Sequence, residues 1–270
     1  AGVLVLGPQS ESVREDPWKV VTVREARQGE VRFEESRGYL FPSMDANNPI
    51  GPDSLAAHVR IERRRGHVEV EHFRAGKSGV FRIENACLPE WSPNGRYLTC
   101  SIWTPERRMG TLSVFDVDAR RVIADARLAS GANSKWSPDS RMIVAEGVSY
   151  GGDGAILLYR MTVPEGKIAV IDTLAVPTDY EFSWSPDSRW IAFSRPTKMI
   201  HEGDATASDL WIADAQFGDA WPVRITPDRV QSDPLWISNR LIQVLEVVWD
   251  EEHNTSERVV VIEISNDGAR

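Results

Sequence analysis

Cysteine is nearly absent from this chain of 270 residues: there are two, Cys87 and Cys100. Two thiols cannot build a disulfide framework, and they fall short of the ligand set of a zinc ribbon. Histidine is scarce as well, with five residues at 58, 67, 72, 201 and 253. His67 and His72 are separated by an odd number of positions, so an extended strand turns them to opposite faces. Asp153, Asp204 and Asp209 sit in loop-like stretches, but without EF-hand spacing. No glycine-rich loop of the Walker or dinucleotide-binding kind leads from a strand into a helix. The expectation is therefore no metal and no cofactor. Basic residues are in the minority, 31 Lys and Arg against 40 Asp and Glu, giving a net charge of −9. That balance argues against a nucleic-acid binder or a polybasic membrane-surface protein. No apolar run approaches the ~20 residues of a membrane-spanning helix. The apolar opening AGVLVLG reads as the remainder of a cleaved signal, as the trace of an anchor upstream of Ala1, or as a plain chain boundary.

What the sequence does have is tryptophan, ten residues, and a repeat. Trp91-Ser92-Pro93-Asn94-Gly95-Arg96 recurs as Trp136-Ser137-Pro138-Asp139-Ser140-Arg141 and as Trp184-Ser185-Pro186-Asp187-Ser188-Arg189. A worn copy starts at Trp236, and Ile50-Gly51-Pro52-Asp53-Ser54 keeps the turn without the tryptophan. The anchors at 50, 91, 136, 184 and 236 stand 41, 45, 48 and 52 residues apart, close to the length of a four-stranded propeller blade. Ser-Pro-Asp-Gly/Ser suits a type I turn, with Pro presetting φ and Ser bonding back to the chain. A β-branched and aromatic run follows each turn, then a second one: GTLSVFDV, AILLYRM, DLWIADA and RVVVIEI. The fold expected is an all-β propeller of four-stranded antiparallel blades in a single domain, residues 1–270. Trp91, Trp136, Trp184 and Trp236 are expected to pack between neighbouring blades.

WSPDSRWIAFS followed by SDLWIADA resembles the TolB-like, or PD40 (WD40-like), family of propeller repeats, over roughly residues 45–265. The resemblance implies six blades more than five, and a role the fold alone does not specify. Residues 1–44 hold further strand candidates, among them KVVTVRE. They are expected either to close the last blade by N-terminal strand exchange or to form a degenerate blade.

With strands lettered A to D outward from the channel, the W-S-P-D turn joins A to B, and every B–C loop emerges on the other face. That face collects Arg63, Arg64 and Arg65 from the first blade and Arg107 and Arg108 from the second. The third adds a glycine-rich loop with Ser149 and Tyr150. The fourth adds a long loop over 195–209 with His201, and the fifth adds Asp250, Glu251 and Glu252. A face basic on one side and acidic on the other would orient a docking protein or peptide. Gly147-Val148-Ser149-Tyr150-Gly151 also spells the G-x-S-x-G nucleophile motif and looks like that of prolyl-oligopeptidase-type hydrolases. The repeat nevertheless places it between two strands rather than on a strand-to-helix elbow. A Ser149–His201 pair is the one catalytic candidate, and a non-enzymatic role is preferred.

Cys87 and Cys100 form a candidate disulfide. A two-residue loop at 93–94 sets them opposite each other, at a Cα separation of about 4.5–5.5 Å. A pair of reduced buried thiols is the alternative. A bridge would suit a bacterial periplasmic or extracellular location, where TolB-like proteins are often found. The expected function is thus a protein-interaction or ligand-binding scaffold. The alternatives are the propeller portion of, or regulatory cap for, a prolyl-oligopeptidase-type serine hydrolase, and the extracytoplasmic sensor domain of a membrane protein.

Overall fold

The computed structural model describes residues 18–27, 30, 56–62, 65–74, 77–103, 110–127, 134–148, 154–162, 167–175, 182–199, 205–216, 220–223, 230–249 and 255–266. All regular elements among them are strands. The first is β1 (Lys19–Glu25), then come β2 (Ala56–Glu62), β3 (Arg65–Arg74) and β4 (Lys77–Glu84). These are followed by β5 (Ala86–Trp91), β6 (Tyr97–Trp103), β7 (Gly110–Asp116) and β8 (Arg121–Arg127). Next are β9 (Ser134–Trp136), β10 (Met142–Val148), β11 (Gly154–Thr162) and β12 (Lys167–Ala175). β13 (Phe182–Trp184), β14 (Trp190–Met199), β15 (Ala205–Asp214) and β16 (Ala220–Val223) precede β17 (Val230–Ser238), β18 (Leu241–Trp249) and β19 (Thr255–Ser265).

They assemble into five antiparallel sheets: β2-β3-β4, β5-β6-β7-β8, β9-β10-β11-β12, β13-β14-β15-β16 and β17-β18-β19-β1. Four are meanders in chain order. The fifth takes its outer strand from the other end of the chain: β1 pairs with β19 from Lys19↔Ser265 to Glu25↔Val260. The stretch KVVTVRE, read from sequence as a candidate closing strand, therefore completes the last sheet. The first sheet shows three strands among the described residues.

Neighbouring sheets pack face to face, and each hydrophobic cluster joins two of them. Ile83 of β4 packs with Ala86, Trp91, Leu98 and Cys100 of the second sheet. Val144 of β10 packs with Phe182, Trp184, Ile191 and Phe193 of the fourth. β14 shows the period-2 logic: Ile191 and Phe193 point to the third sheet, while Trp190 and Ala192 join Trp236, Ile242 and Ile262 of the fifth. Covered on both faces, the inner strands read as continuous apolar runs rather than as alternating ones. The four repeat tryptophans are buried, between 5% and 8% exposed. Trp136 stacks on Tyr97 of the preceding sheet at 5.9 Å, and Trp184 Nε1 donates to Lys135 O of the preceding sheet at 3.0 Å.

The repeat turn is built alike three times. The N–H of Gly95, Ser140 and Ser188 donates to the carbonyl of Ser92, Ser137 and Ser185, at 2.8, 2.8 and 2.9 Å. Each leading serine hydroxyl donates to the side chain two residues on, Asn94, Asp139 or Asp187, and accepts the N–H of Tyr97, Met142 or Trp190. The fourth residue is left-handed: Gly95 at φ 68°, Ser140 at 61° and Ser188 at 62°. Glycine takes that conformation freely, whereas serine carries a steric cost of roughly 1–2 kcal/mol. The two serines offset it by reaching the preceding turn: Asn94 N–H donates to Ser140 Oγ at 3.1 Å, and Asp139 N–H to Ser188 Oγ at 2.9 Å.

Two sequence-based expectations are corrected by this geometry. Ser92 N–H bonds to Tyr97 O, so the hairpin loop is longer than the two residues assumed. A bulge between Cys87 and Glu90, with Leu88 left-handed at φ 51°, shifts the register again. Cys87 therefore stands opposite Ser101, not Cys100, and the direct opposition behind the disulfide candidate is lost. The same device recurs in β17, where Asp233 at φ 49° precedes Pro234 within a bulge from Ser232 to Leu235. A proline lacks the ladder N–H and is accommodated at such bulges. The loop expected over 195–209 is mostly hairpin: Arg195↔Asp209, Pro196↔Ser208 and Met199↔Ala205 are paired, with register shifts beside Lys198.

Candidate functional site

Each of the second to fifth sheets has a turn end, where its innermost strand passes into the next, and a hairpin end beyond it. The Asn94–Ser140 and Asp139–Ser188 bonds hold the turn ends of the second, third and fourth sheets together. Their hairpin ends consequently share the opposite side.

The turn end is largely occupied with holding itself together. Each turn is followed by an exposed arginine: Arg96, Arg141, Arg189 and, in the fifth sheet, Arg240. Arg96 Nη2 reaches Asp116 Oδ2 at 3.2 Å and lies over the Tyr97 ring at 5.1 Å. Arg189 Nε stands 3.9 Å from Asp214 Oδ2, and its guanidinium lies over Trp190 at 4.6 Å. Both carboxylates are buried, and each accepts a backbone N–H of the following turn, from Ala119 and Gln216 respectively. Burial pushes the Tyr97 phenol above its ordinary pKa. Asp116 is registered opposite Tyr97 and Asp214 opposite Trp190, whereas the matching position in the third sheet, opposite Met142, is Arg160.

The hairpin ends close on Glu62↔Arg65, Trp103↔Gly110, Val148↔Gly154, Met199↔Ala205 and Trp249↔Thr255. The connections between these paired residues are the ones read from sequence as the binding face. Arg65 is the first residue of β3. Arg63, Arg64, Arg107, Arg108, Ser149, Tyr150, His201, Asp250, Glu251 and Glu252 lie outside the described residues. Ser149 follows β10 directly, and the next described element is strand β11 rather than a helix. Among the described residues no group of three or more His, Cys, Asp or Glu is placed to hold a metal ion. No helix among them is long and apolar enough to cross a membrane.

Sequence reasoning missed a second constellation, on the fifth sheet. Glu246 on β18 is 1% exposed, and Arg258 Nε of β19 donates to it at 2.6 Å. Arg258 Nη1 continues to Glu25 of β1 at 3.2 Å, and its pKa is raised, chiefly by the hydrogen bond to Glu246. At the other end of β1, Trp18 packs edge-on against Trp190 at 4.8 Å and Trp236 at 6.3 Å. Trp18 lies outside the repeat, so the period carries no signal for it. A charged pair four strand positions from the apolar Leu241–Ile242 start of β18 is equally silent in sequence.

No family model matches the sequence, and no curated protein matches it. Solved structures do. The β-propeller domain of the Trilobed protease from Pyrococcus furiosus is 14% identical over 80% of this chain and 65% of that chain, with a TM-score of 0.52. An oligogalacturonate lyase in complex with manganese is 10% identical over 83% of this chain and 67% of that one, with a TM-score of 0.54. A structure from a study of two prolyl endopeptidases is 12% identical over 78% and 35%, with a TM-score of 0.50. At such identities the likeness shows the fold alone: an all-β, propeller-like array of antiparallel sheets. The chain spans less than two thirds of the length of the first of these structures.

Proposed function

We propose that the chain is a five-bladed, TolB-like β-propeller, a single domain whose last blade is completed by β1. In this reading it is a non-enzymatic scaffold that binds another protein or a peptide at its hairpin end, in a periplasmic or extracellular setting. The observation that carries the reading is the contrast between the two ends. The turn end is engaged in bonds between turns and between Arg96 and Asp116 and Arg189 and Asp214. The hairpin connections carry in sequence the arginines at 63–65 and 107–108 and the acids at 250–252, a charge asymmetry suited to orienting a partner. Exchanging Arg63, Arg64, Arg107 and Arg108 for Glu tests it by capture of interacting proteins from the source cell. Recovery of the partner should fall sharply, while Arg141→Glu at the turn end leaves it unchanged; equal recovery by all variants overturns the reading.

A second reading rests on the Ser149 motif and the likeness to prolyl endopeptidases: a propeller working with a serine hydrolase domain. It predicts labelling of Ser149 by a fluorophosphonate probe, abolished in Ser149→Ala, or a reading frame that continues past Arg270 into an α/β domain. The scaffold reading predicts neither.

A further inference from the structure

β1 is attached in the manner of a bound peptide. Its outward face contributes little to any core: Val21 and Val23 are 54% and 45% exposed. Its hold on the body is concentrated elsewhere. At the head, Trp18 is buried against Trp190 and Trp236, in the seam between the fourth and fifth sheets. Along the middle, the backbone adds a strand to the edge of β19, Val20 joins the same cluster, and Thr22 Oγ1 donates to Glu263 at 3.2 Å. At the tail, Glu25 meets Arg258, itself anchored on buried Glu246, and Ala26 N–H donates to Val259 O at 2.9 Å. An aromatic anchor in an apolar seam, a run of main-chain pairing and a terminal ion pair are the parts of β-strand-addition recognition. The segment 26–55 that links β1 to β2 lies between them, so β1 is joined to the body by a long connection.

We propose that the β19 edge, the Trp190/Trp236 seam and Arg258 form a peptide-binding site, occupied in cis by residues 18–25. Its ligand class is an extended segment with a tryptophan at the head, an aliphatic residue two positions on and a carboxylate seven positions on. This site is separate from the hairpin-end face and does not depend on it. The cis segment acts as a tethered competitor, because covalent connection makes its binding an intramolecular event. An outside segment binds only when β1 is weakened or when it carries the anchors in better form.

The test uses the full-length chain and a fluorescent synthetic peptide of residues 16–27, followed by anisotropy. Trp18→Ala in the chain weakens the cis occupant without touching the seam. That variant should bind the peptide at least about tenfold more tightly than the wild type does. A peptide with Trp18→Ala should lose a similar factor, whereas one with Glu25→Lys should lose a smaller factor that shrinks at high ionic strength. Where Trp18→Ala fails to fold cooperatively, a protease site placed within residues 31–55 of the wild type replaces it. After cleavage the N-terminal piece should exchange with added peptide, as read by mass spectrometry. A folded Trp18→Ala chain that ignores the peptide, or a cleaved piece that never exchanges, overturns the proposal. Concentration-dependent dimerisation without peptide binding would assign the edge to a second copy and overturn it equally.

Discussion

The backbone N–H of Asp139 donates to Ser188 Oγ across 2.9 Å, joining turns 49 residues apart in adjacent sheets. This bond explains a serine where the backbone calls for glycine, because Ser188 sits at φ 62°. It also makes a ranking. Ser188→Ala keeps the left-handed strain and loses the acceptor, at a cost of about 0.5–1.5 kcal/mol. Ser188→Gly loses the same acceptor but relieves strain of similar size, so it should be close to neutral. Urea denaturation of the two variants checks the order, and a glycine variant less stable than the alanine one would contradict it.

Trp184 and Trp136 occupy the same repeat position but differ at the indole N–H. Trp184 Nε1 donates to Lys135 O, whereas Trp136 Nε1 is buried without a hydrogen-bond partner. Replacement by Phe should therefore cost more at 184 than at 136, by about 1 kcal/mol, since only the first change removes a hydrogen bond. Thermal unfolding of the pair measures the difference.

These features also mark how much of the molecule is legible in its sequence. The turn, its flanking strands and the tryptophans could be read because the same local chemistry recurs in register. The pairing of Cys87 could not: it depends on a left-handed Leu88, and nothing in a leucine announces that conformation. The hairpin running through Pro196 was hidden for a similar reason, since proline reads as a strand end until a neighbouring shift absorbs it. Trp18, Glu246 and Arg258 form a site only after the first strand meets the last, a contact no local pattern encodes.

Arg258→Met should be costly. It leaves Glu246, 1% exposed, without its 2.6 Å ion pair, and uncompensated buried charges typically cost about 3–5 kcal/mol. Combining Arg258→Met with Glu246→Met should recover most of the loss. Chemical denaturation of the single and double variants checks this, and a double variant as unstable as the single one would contradict it.

Acid should loosen the turn after β1. The hydrogen bond from Arg24 lowers the Glu30 pKa from 4.5 to about 2, helped by the Arg27 N–H. The folded-state value lies below the unfolded one, so this contribution is complete above about pH 4.5 and is lost as pH falls through about 2. Titration of the Glu30 carboxyl by NMR should show the low midpoint in the wild type and a return toward the ordinary carboxylate range in Arg24→Gln.

The most direct test of the account is a hydrogen–deuterium exchange footprint of the chain with its captured partner. Protection should appear at the connections 63–64, 104–109, 149–153, 200–204 and 250–254, with the turns at 92–96, 137–141 and 185–189 unchanged. Protection centred on those turns, with the hairpin connections unaffected, would contradict it.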